Sequence, residues 1–217
     1  MAASITSIST LRTAVALWLN RAGDTVITSS IDDFINNFEN NLLNSTDESG
    51  KPLFRVREME VRATTPLSGQ YMALPTDFLQ MRMLKVNTNP IQKLDYVSPE
   101  FLFETWSSNY AGRSFVYTIT ESEMAFGPIP QSADTLEMWY YSFTKLTDAA
   151  PTNWLITKYP NIYLYGALTE AAEFIDDPKA DFWAQKAGKA VQDLYKADQA
   201  ARWSGSTLNA RTDTGNP

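Results

Sequence analysis

The first fifty residues show the hydrophobic spacing of two amphipathic helices. In each stretch, apolar residues recur with the 3.6-residue period that places them on one helix face. The two stripes are Ile8, Leu11, Val15, Trp18 and Leu19, and then Ile31, Phe34, Ile35, Phe38 and Leu42. Gly23 is typical of the residue just past a helix end, and Ser30 is typical of an N-cap. We therefore expect one helix before Gly23 and a second that begins at Ser30.

Helical spacing disappears between about residues 51 and 149. Short runs rich in valine, methionine and aromatic residues alternate there with glycine and proline, which is typical of strands. These runs predict strands near 54–63, 70–74, 79–87, 91–95, 115–120, 123–127 and 135–143. Bulky side chains on both faces of the last run predict a strand that is either central or covered on both sides, and charges on both faces of the first suit an edge strand or a ribbon. A single short helix, capped by Ser98, is expected over 98–106.

The helical pattern returns after Pro151. A short helix over 153–159 should be followed directly by one that starts at Pro160, since proline suits the first helical position. Asp177 and Pro178 should then begin a last helix with a narrow apolar stripe. That stripe consists of Trp183, Ala187, Ala190, Val191, Leu194, Ala197 and Ala201.

This order of elements predicts an α+β protein, mainly helical. Helices at the two ends of the chain each have one apolar face, so we expect them to pack together as a helical bundle domain of residues 1–50 and 150–203. The region 51–149 should then be an inserted antiparallel β-rich domain. Residues 204–217 are rich in Ser, Gly, Thr, Asn and Asp, a composition that predicts a flexible tail.

Composition excludes several kinds of chemistry. The 217-residue chain has a formal charge of −7 and contains neither histidine nor cysteine. A zinc site built from Cys and His, a disulfide, and Ser-His-Asp or Cys-His catalysis are therefore impossible. The acidic balance argues against a protein that coats nucleic acid or binds membranes through basic residues. No signal peptide or membrane span is recognisable, and we expect synthesis in the cytoplasm.

The remaining candidate chemistry is weak. Glu170 and Glu173 lie three residues apart on one helix, with Asp176 and Asp177 close behind. Glycosidases need two carboxyl groups on opposite sides of the substrate, which neighbours on one helix face do not supply. The spacing is typical of a solvated helix end. No metal-binding or phosphate-binding motif is present, and we expect no cofactor and no metal.

Three stretches, taken in order, resemble a known family. The first is YMALPTDF at residues 71–78, followed by MRMLKV at 81–86. The second is GPIP at 127–130, followed by LEMWYY at 136–141. The third is WLITKYPNIYLYGALTEA, which ends at Ala171. Together they resemble the head-to-tail, or portal, adaptor proteins of tailed bacteriophages.

This resemblance implies a structural virion protein of the phage neck or tail, made in the host bacterial cytoplasm. Such a protein forms a ring, with twelve copies expected, beneath the portal protein. It extends the DNA channel and offers a docking platform to a tail or nozzle protein. Genomic DNA would only pass through the lumen, and no membrane and no enzymatic activity are expected.

The residues expected at protein interfaces belong to two regions. Two are aromatic residues of the last strand, and four lie around the C-terminal tail, which is either dispensable or folds onto a partner through isolated apolar anchors. They are Trp139, Tyr141, Arg202, Trp203, Leu208 and Arg211. Two alternative functions remain open. One is a tail-associated cell-wall hydrolase that uses Glu170 or Glu173 together with an Asp, and the other is a carbohydrate-binding virion module that uses the β-region aromatics.

Overall fold

The computed structural model describes residues 4–106, 110–130 and 134–202. The chain divides into two compact units. The helical unit contains the residues up to Arg57 and those from Lys145 onward, and the sheet unit contains Glu58–Thr144. The fold is α+β, and its two larger sheets are mainly antiparallel.

Six α-helices occur in the described residues, and five of them belong to the helical unit. These five are α1 (Ile8–Trp18), α2 (Thr25–Asn44), α4 (Trp154–Lys158), α5 (Pro160–Phe174) and α6 (Ala180–Arg202). The sixth, α3 (Pro99–Thr105), belongs to the sheet unit, and the predicted Ser98 cap is confirmed. Pro160 occupies the first position of α5, also as predicted.

The second helix begins earlier than the sequence pattern indicates. Its N-cap is Asp24 rather than Ser30, since the Asp24 carboxylate accepts hydrogen bonds from the backbone N–H groups of Val26 and Ile27 at 3.0 and 3.4 Å. The Ser30 hydroxyl instead donates to the Val26 carbonyl inside the helix, at 2.9 Å. Several residue types can cap a helix, so the first suitable one after the Gly23 turn takes the role.

Helix α5 lies at the centre of the helical unit and packs against α1, α2, α4 and α6. Helix α2 approaches α5 closely at Gly166, because this residue has no side chain and the Phe38 ring occupies the space where a Cβ would stand. Tyr163, Ala167 and Leu168 are completely buried. This helix is therefore buried over much of its circumference.

The last helix differs from its predicted form at both ends. It begins at Ala180, because Asp177 first forms a separate turn in which its carboxylate accepts from the Lys179 N–H at 2.9 Å. Of the predicted stripe only Ala187 and Leu194 are buried, and the third buried residue of the helix is Asp198. The expected continuous apolar stripe is therefore wrong in its C-terminal half.

The sheet unit contains ten short strands in its described residues. They are β1 (Glu60–Leu67), β2 (Tyr71–Ala73), β3 (Phe78–Val86), β4 (Gln92–Lys93), β5 (Asp95–Tyr96), β6 (Ala111–Gly112), β7 (Val116–Thr120), β8 (Glu123–Gly127), β9 (Ile129–Pro130) and β10 (Asp134–Ser142). One four-stranded sheet has the order β1-β10-β3-β4 and a second has the order β2-β8-β7-β5. β10 is central and β1 is an edge strand, as predicted. Strands β6 and β9 form a parallel pair that the sequence did not indicate.

Two predicted strands are wrong in extent. The run 54–63 does not start as a strand: Phe54 and Val56 are completely buried, and the Phe54 ring lies 6.2 Å from both Trp154 and Tyr195 of the helical unit. The predicted run 91–95 is divided between two sheets. The Leu94 N–H donates to the first sheet, and the next backbone N–H, that of Asp95, donates to the second.

The two large sheets pack face to face, as in a sandwich. Their inner faces share one apolar core, to which Leu84 and Met138 contribute from the first sheet and Met124 and Phe126 from the second. Leu102 on α3 and Trp106 just after it form a separate cluster with Val116 and Ala125, on the opposite face of the second sheet. The layer order is therefore first sheet, second sheet and α3, and the outer face of the first sheet points away from α3.

Candidate interaction surfaces

The outer face of the first sheet carries the predicted interface residues Trp139 and Tyr141. Side chains alternate along β10, so Met138 and Tyr140 enter the core while Trp139 and Tyr141 point outward and are half-buried. Burial and the Asp77 carboxylate, 3.1 Å from the phenol oxygen, raise the pKa of Tyr140 to about 12. Of this aromatic run, Trp139 and Tyr141 are the residues that remain available at the surface.

Glu137 is the centre of the polar network on this face. Arg62 on β1 binds its carboxylate with two hydrogen bonds, of 2.8 and 2.9 Å. The Trp139 indole N–H donates to it at 2.9 Å, the Asn87 amide at 3.1 Å, and the Lys85 ammonium lies 3.2 Å away. These donors, led by Arg62, hold the pKa of Glu137 well below its usual range. The carboxylate therefore stays charged at neutral pH and fixes the positions of its neighbours.

A surface groove of about 440 Å³ lies beside this network. Its lining comprises Glu60, Arg82, Met83, Lys93 and Trp139. Arg82 forms an ion pair with Glu60. Lys93 on β4 is the cross-strand partner of Lys85, so two ammonium groups stand on adjacent strands. We name this surface, which consists of the Glu137 network and the groove, the basic face.

The surface on α3 has the opposite character. Phe101 and Phe103 are 50% and 41% exposed, although Leu102 between them is completely buried. Phe103 stacks on Tyr71 of β2, which is itself exposed, with ring centroids 6.3 Å apart. Glu100 and Glu104 are exposed on the same short helix. We name this aromatic and acidic surface the α3 face.

The helical unit has an exposed aromatic cluster of its own. The Trp18 ring lies 5.7 Å from that of Trp183 and 6.3 Å from that of Tyr165. Leu17, Trp18 and Phe182 are 60%, 47% and 49% exposed. Grooves of about 560 and 270 Å³ run along the two sides of α1 next to Leu17. Large apolar groups exposed together at this density are typical of protein-binding surfaces.

The α5 carboxylates do not form an opposed pair. Glu170 accepts a hydrogen bond from the Asn41 amide at 2.9 Å, and burial together with the nearby Glu173 raises its pKa. Glu173 is exposed one turn further along the same helix. Glu170 and Glu173 therefore lack the geometry in which two carboxyl groups flank a glycosidic bond.

Of the four C-terminal interface candidates, Arg202 is the one that lies within the described residues. The Arg202 guanidinium donates to the Asp198 carboxylate at 2.8 Å, and the same carboxylate accepts from the Arg57 backbone N–H at 2.9 Å. Arg202 thus helps to fix the end of α6. Trp203, Leu208 and Arg211 lie outside the described residues.

Sequence reasoning missed a buried polar network in the helical unit. Glu39 lies in an asparagine-rich part of α2, yet it is only 1% exposed. The Tyr163 phenol donates to its carboxylate at 2.6 Å, and the Leu146 backbone N–H donates to the same oxygen at 3.0 Å. The Asn153 amide in turn donates to the Tyr163 phenol oxygen at 2.6 Å. Burial raises the pKa of Glu39.

Within residues 4–106, 110–130 and 134–202, no group of three or more carboxylates is placed so as to hold a metal ion. None of the described helices has the length and apolar character that crossing a membrane requires.

Comparison with known families decides the broad identity of this chain. A family model described as SU10 adaptor protein matches residues 6–211, nearly the full length. The chain belongs to the SU10 adaptor protein family. This is a family of phage head-to-tail adaptors, so the resemblance found in the sequence is confirmed. No curated protein matches the chain.

Family membership indicates what kind of function the surfaces of this adaptor serve. The family is structural rather than enzymatic, and its members are virion components that contact portal and tail proteins. An adaptor acts through the shape and chemistry of its contacts. The exposed aromatic and charged surfaces are therefore its candidate functional sites.

Proposed function

We propose that the adaptor forms a closed ring of twelve copies beneath the portal, extends the DNA channel and provides the platform on which the tail or nozzle docks. The observation that carries this proposal is the family match over residues 6–211. A closed ring needs two different, complementary surfaces on each subunit. The basic face and the α3 face, on opposite sides of the sheet unit, support that requirement.

The charge of the chain supports the role of a conduit. With a formal charge of −7, each subunit repels the phosphate backbone on average. A lumen that gripped DNA would slow its passage, because each phosphate contact adds to the affinity. The acidic composition therefore suits a protein through which DNA passes without being held.

The test is the mass of the adaptor alone and in a mixture with purified portal rings. We expect a monomer or a weakly associating species alone, and twelve adaptor chains added to each portal ring in the mixture. Native mass spectrometry counts the bound copies directly. A ring of another order, or no binding to portal, would refute the proposed arrangement.

Removal of residues 204–217 tests the role of the C-terminal tail. The thermal midpoint should remain nearly unchanged, because the polar composition of this segment cannot supply a core. Assembly on the portal should weaken, since Leu208 and Arg211 are predicted contacts. Calorimetry and the portal-binding assay measure the two effects. Equal assembly with and without the segment would show that it is dispensable.

A further inference from the structure

The charges of the sheet unit are distributed unevenly. Residues 58–144 contain ten carboxylates and five basic residues. Four of the five basic residues lie on the basic face, where only two carboxylates accompany them. These four are Arg62, Arg82, Lys85 and Lys93, and the two carboxylates are Glu60 and Glu137. An acidic unit thus concentrates nearly all its positive charge on one face.

The basic face has positive charge that its own carboxylates do not neutralise. Lys85 and Lys93 are direct cross-strand partners, a placement that is unfavourable for two like charges. Glu137 is already bound by Arg62, Lys85 and neighbouring neutral donors. Among the described residues no carboxylate forms an ion pair with Lys93. Anionic groups of a partner would relieve this repulsion.

The opposite side of the sheet unit offers the matching groups. On the α3 face, Glu100 and Glu104 are exposed beside the rings of Phe101 and Phe103. The basic face presents arginine and lysine beside Trp139 and the groove. Each surface therefore combines an apolar part with charges of opposite sign to the other, which is the pattern of complementary interfaces.

The basic face and the α3 face of the same sheet unit cannot touch each other, because they lie on opposite sides of it. The basic face is the outer surface of the first sheet, and α3 covers the far side of the second sheet. With layers spaced by about 10 Å, two sheets and a helix separate the surfaces. The α3 face of one copy can meet the basic face only on another copy.

We propose that the basic face of one subunit binds the α3 face of the next, which makes this pair of surfaces the head-to-tail contact of the ring. The proposal rests on the proposed ring function and names the partner of each face as a second copy of this chain. Contacts of this heterologous kind propagate in one direction and close when the rotation per subunit permits. Arg82 and Lys93 approach Glu100 and Glu104 of the neighbour, and the neighbour's phenylalanines lie against Trp139.

Charge reversal on each side tests the contact. Arg82→Glu with Lys93→Glu makes the basic face acidic, and Glu100→Lys with Glu104→Lys makes the α3 face basic. Each double variant alone should lose about tenfold or more of its assembly on portal rings, because like charges then meet at every contact. A mixture of equal amounts should regain assembly, since alternating copies restore opposite charges at every junction.

A matched control separates this effect from net charge. Lys189→Glu with Lys196→Glu changes the charge by the same amount as Arg82→Glu with Lys93→Glu, but at exposed positions of α6, and should leave assembly unchanged. Circular dichroism should show that all variants remain folded. If both reversed variants assemble like the wild type, the proposed contact is wrong. It is also wrong if the mixture does not regain assembly, since the faces then serve a portal or tail protein instead.

A cross-link in the free protein distinguishes this proposal from the ring function itself. The natural chain has no cysteine, so Lys93→Cys with Glu100→Cys introduces the only thiols. A short bifunctional thiol reagent at high protein concentration should give a ladder of multimers, and either single-cysteine variant should not. If the double-cysteine variant gives a ladder of multimers but does not bind portal, the portal arrangement is wrong and the subunit contact stands. If it fills portal rings but gives no ladder, the subunit contact is wrong and the ring stands.

Discussion

Replacement of Glu39 by alanine is expected to lower the free energy of unfolding by about 3–5 kcal/mol. The change removes the one acceptor that binds both the Tyr163 phenol and the Leu146 backbone N–H. Both donors are then buried without a partner, and each such loss costs about 1–3 kcal/mol. Urea unfolding followed by far-ultraviolet circular dichroism measures the difference.

The variant Glu39→Gln is the matched control, because its amide oxygen keeps the acceptor. It should retain most of the stability that Glu39→Ala loses. Equal losses in the two variants would show that the hydrogen bonds of Glu39 do not stabilise the helical unit.

The difference in stability between the wild type and Glu39→Gln should depend on pH. Burial raises the pKa of Glu39 in the folded chain above the ordinary value near 4.5. At a pH between the ordinary pKa and the raised pKa of the folded state, the folded state binds more protons than the unfolded state. The stability that this residue contributes therefore falls as the pH rises. Relative to Glu39→Gln, the wild type should therefore lose stability from about pH 4.5 upward until the folded-state pKa is passed. A parallel pH profile for the two proteins would contradict this assignment.

Replacement of Gly166 by alanine should lower the free energy of unfolding by about 2–3 kcal/mol. A Cβ at this position would stand 2.2 Å from two carbons of the Phe38 ring. The ring packs edge-on against Tyr163 and is 8% exposed, so it cannot move aside without disturbing the contact between α2 and α5. The better helix propensity of alanine offsets only about 1 kcal/mol of this cost.

Gly188 in α6 provides a control of opposite sign. A Cβ there meets nothing within 4 Å. Gly188→Ala should therefore stabilise the protein by about 0.5–1 kcal/mol through helix propensity alone. Denaturant midpoints of the two variants should move in opposite directions. If Gly166→Ala were as stable as the wild type or more stable, glycine at 166 would not be required by the close approach of α2.

Much of the fold was predictable because local patterns determine it. The helix over Pro160–Phe174 follows from a proline at its first position and dense apolar residues, and the central place of β10 follows from bulky side chains on both faces. The failures arise where distant contacts overrule the local pattern. Phe54 and Val56 alternate with charges as a strand would, but the helical unit buries them. The backbone N–H groups of Leu94 and Asp95 donate to different sheets, and nothing in the local sequence predicts this division.

The candidate surfaces were predictable only in part. Trp139 and Tyr141 were predicted as interface residues from their residue type and strand position, and this role stays a prediction. The basic face itself depends on register, because Arg62 reaches Glu137 across 75 positions of the chain. Alternation within one strand cannot reveal which charges of two other strands will stand beside it. The buried carboxylate of Glu39 was missed for a similar reason, since its donors come from α5 and the segment before α4.

The most direct test of the central claim is the number of adaptor chains on each portal ring, counted by native mass spectrometry in a mixture with excess adaptor. We expect twelve chains per portal ring for the wild type. We expect the same count for a mixture of the two charge-reversed variants and a strongly reduced count for each variant alone. Absence of bound adaptor, or a different fixed number of chains, would contradict the claim that this protein works as a closed ring under the portal.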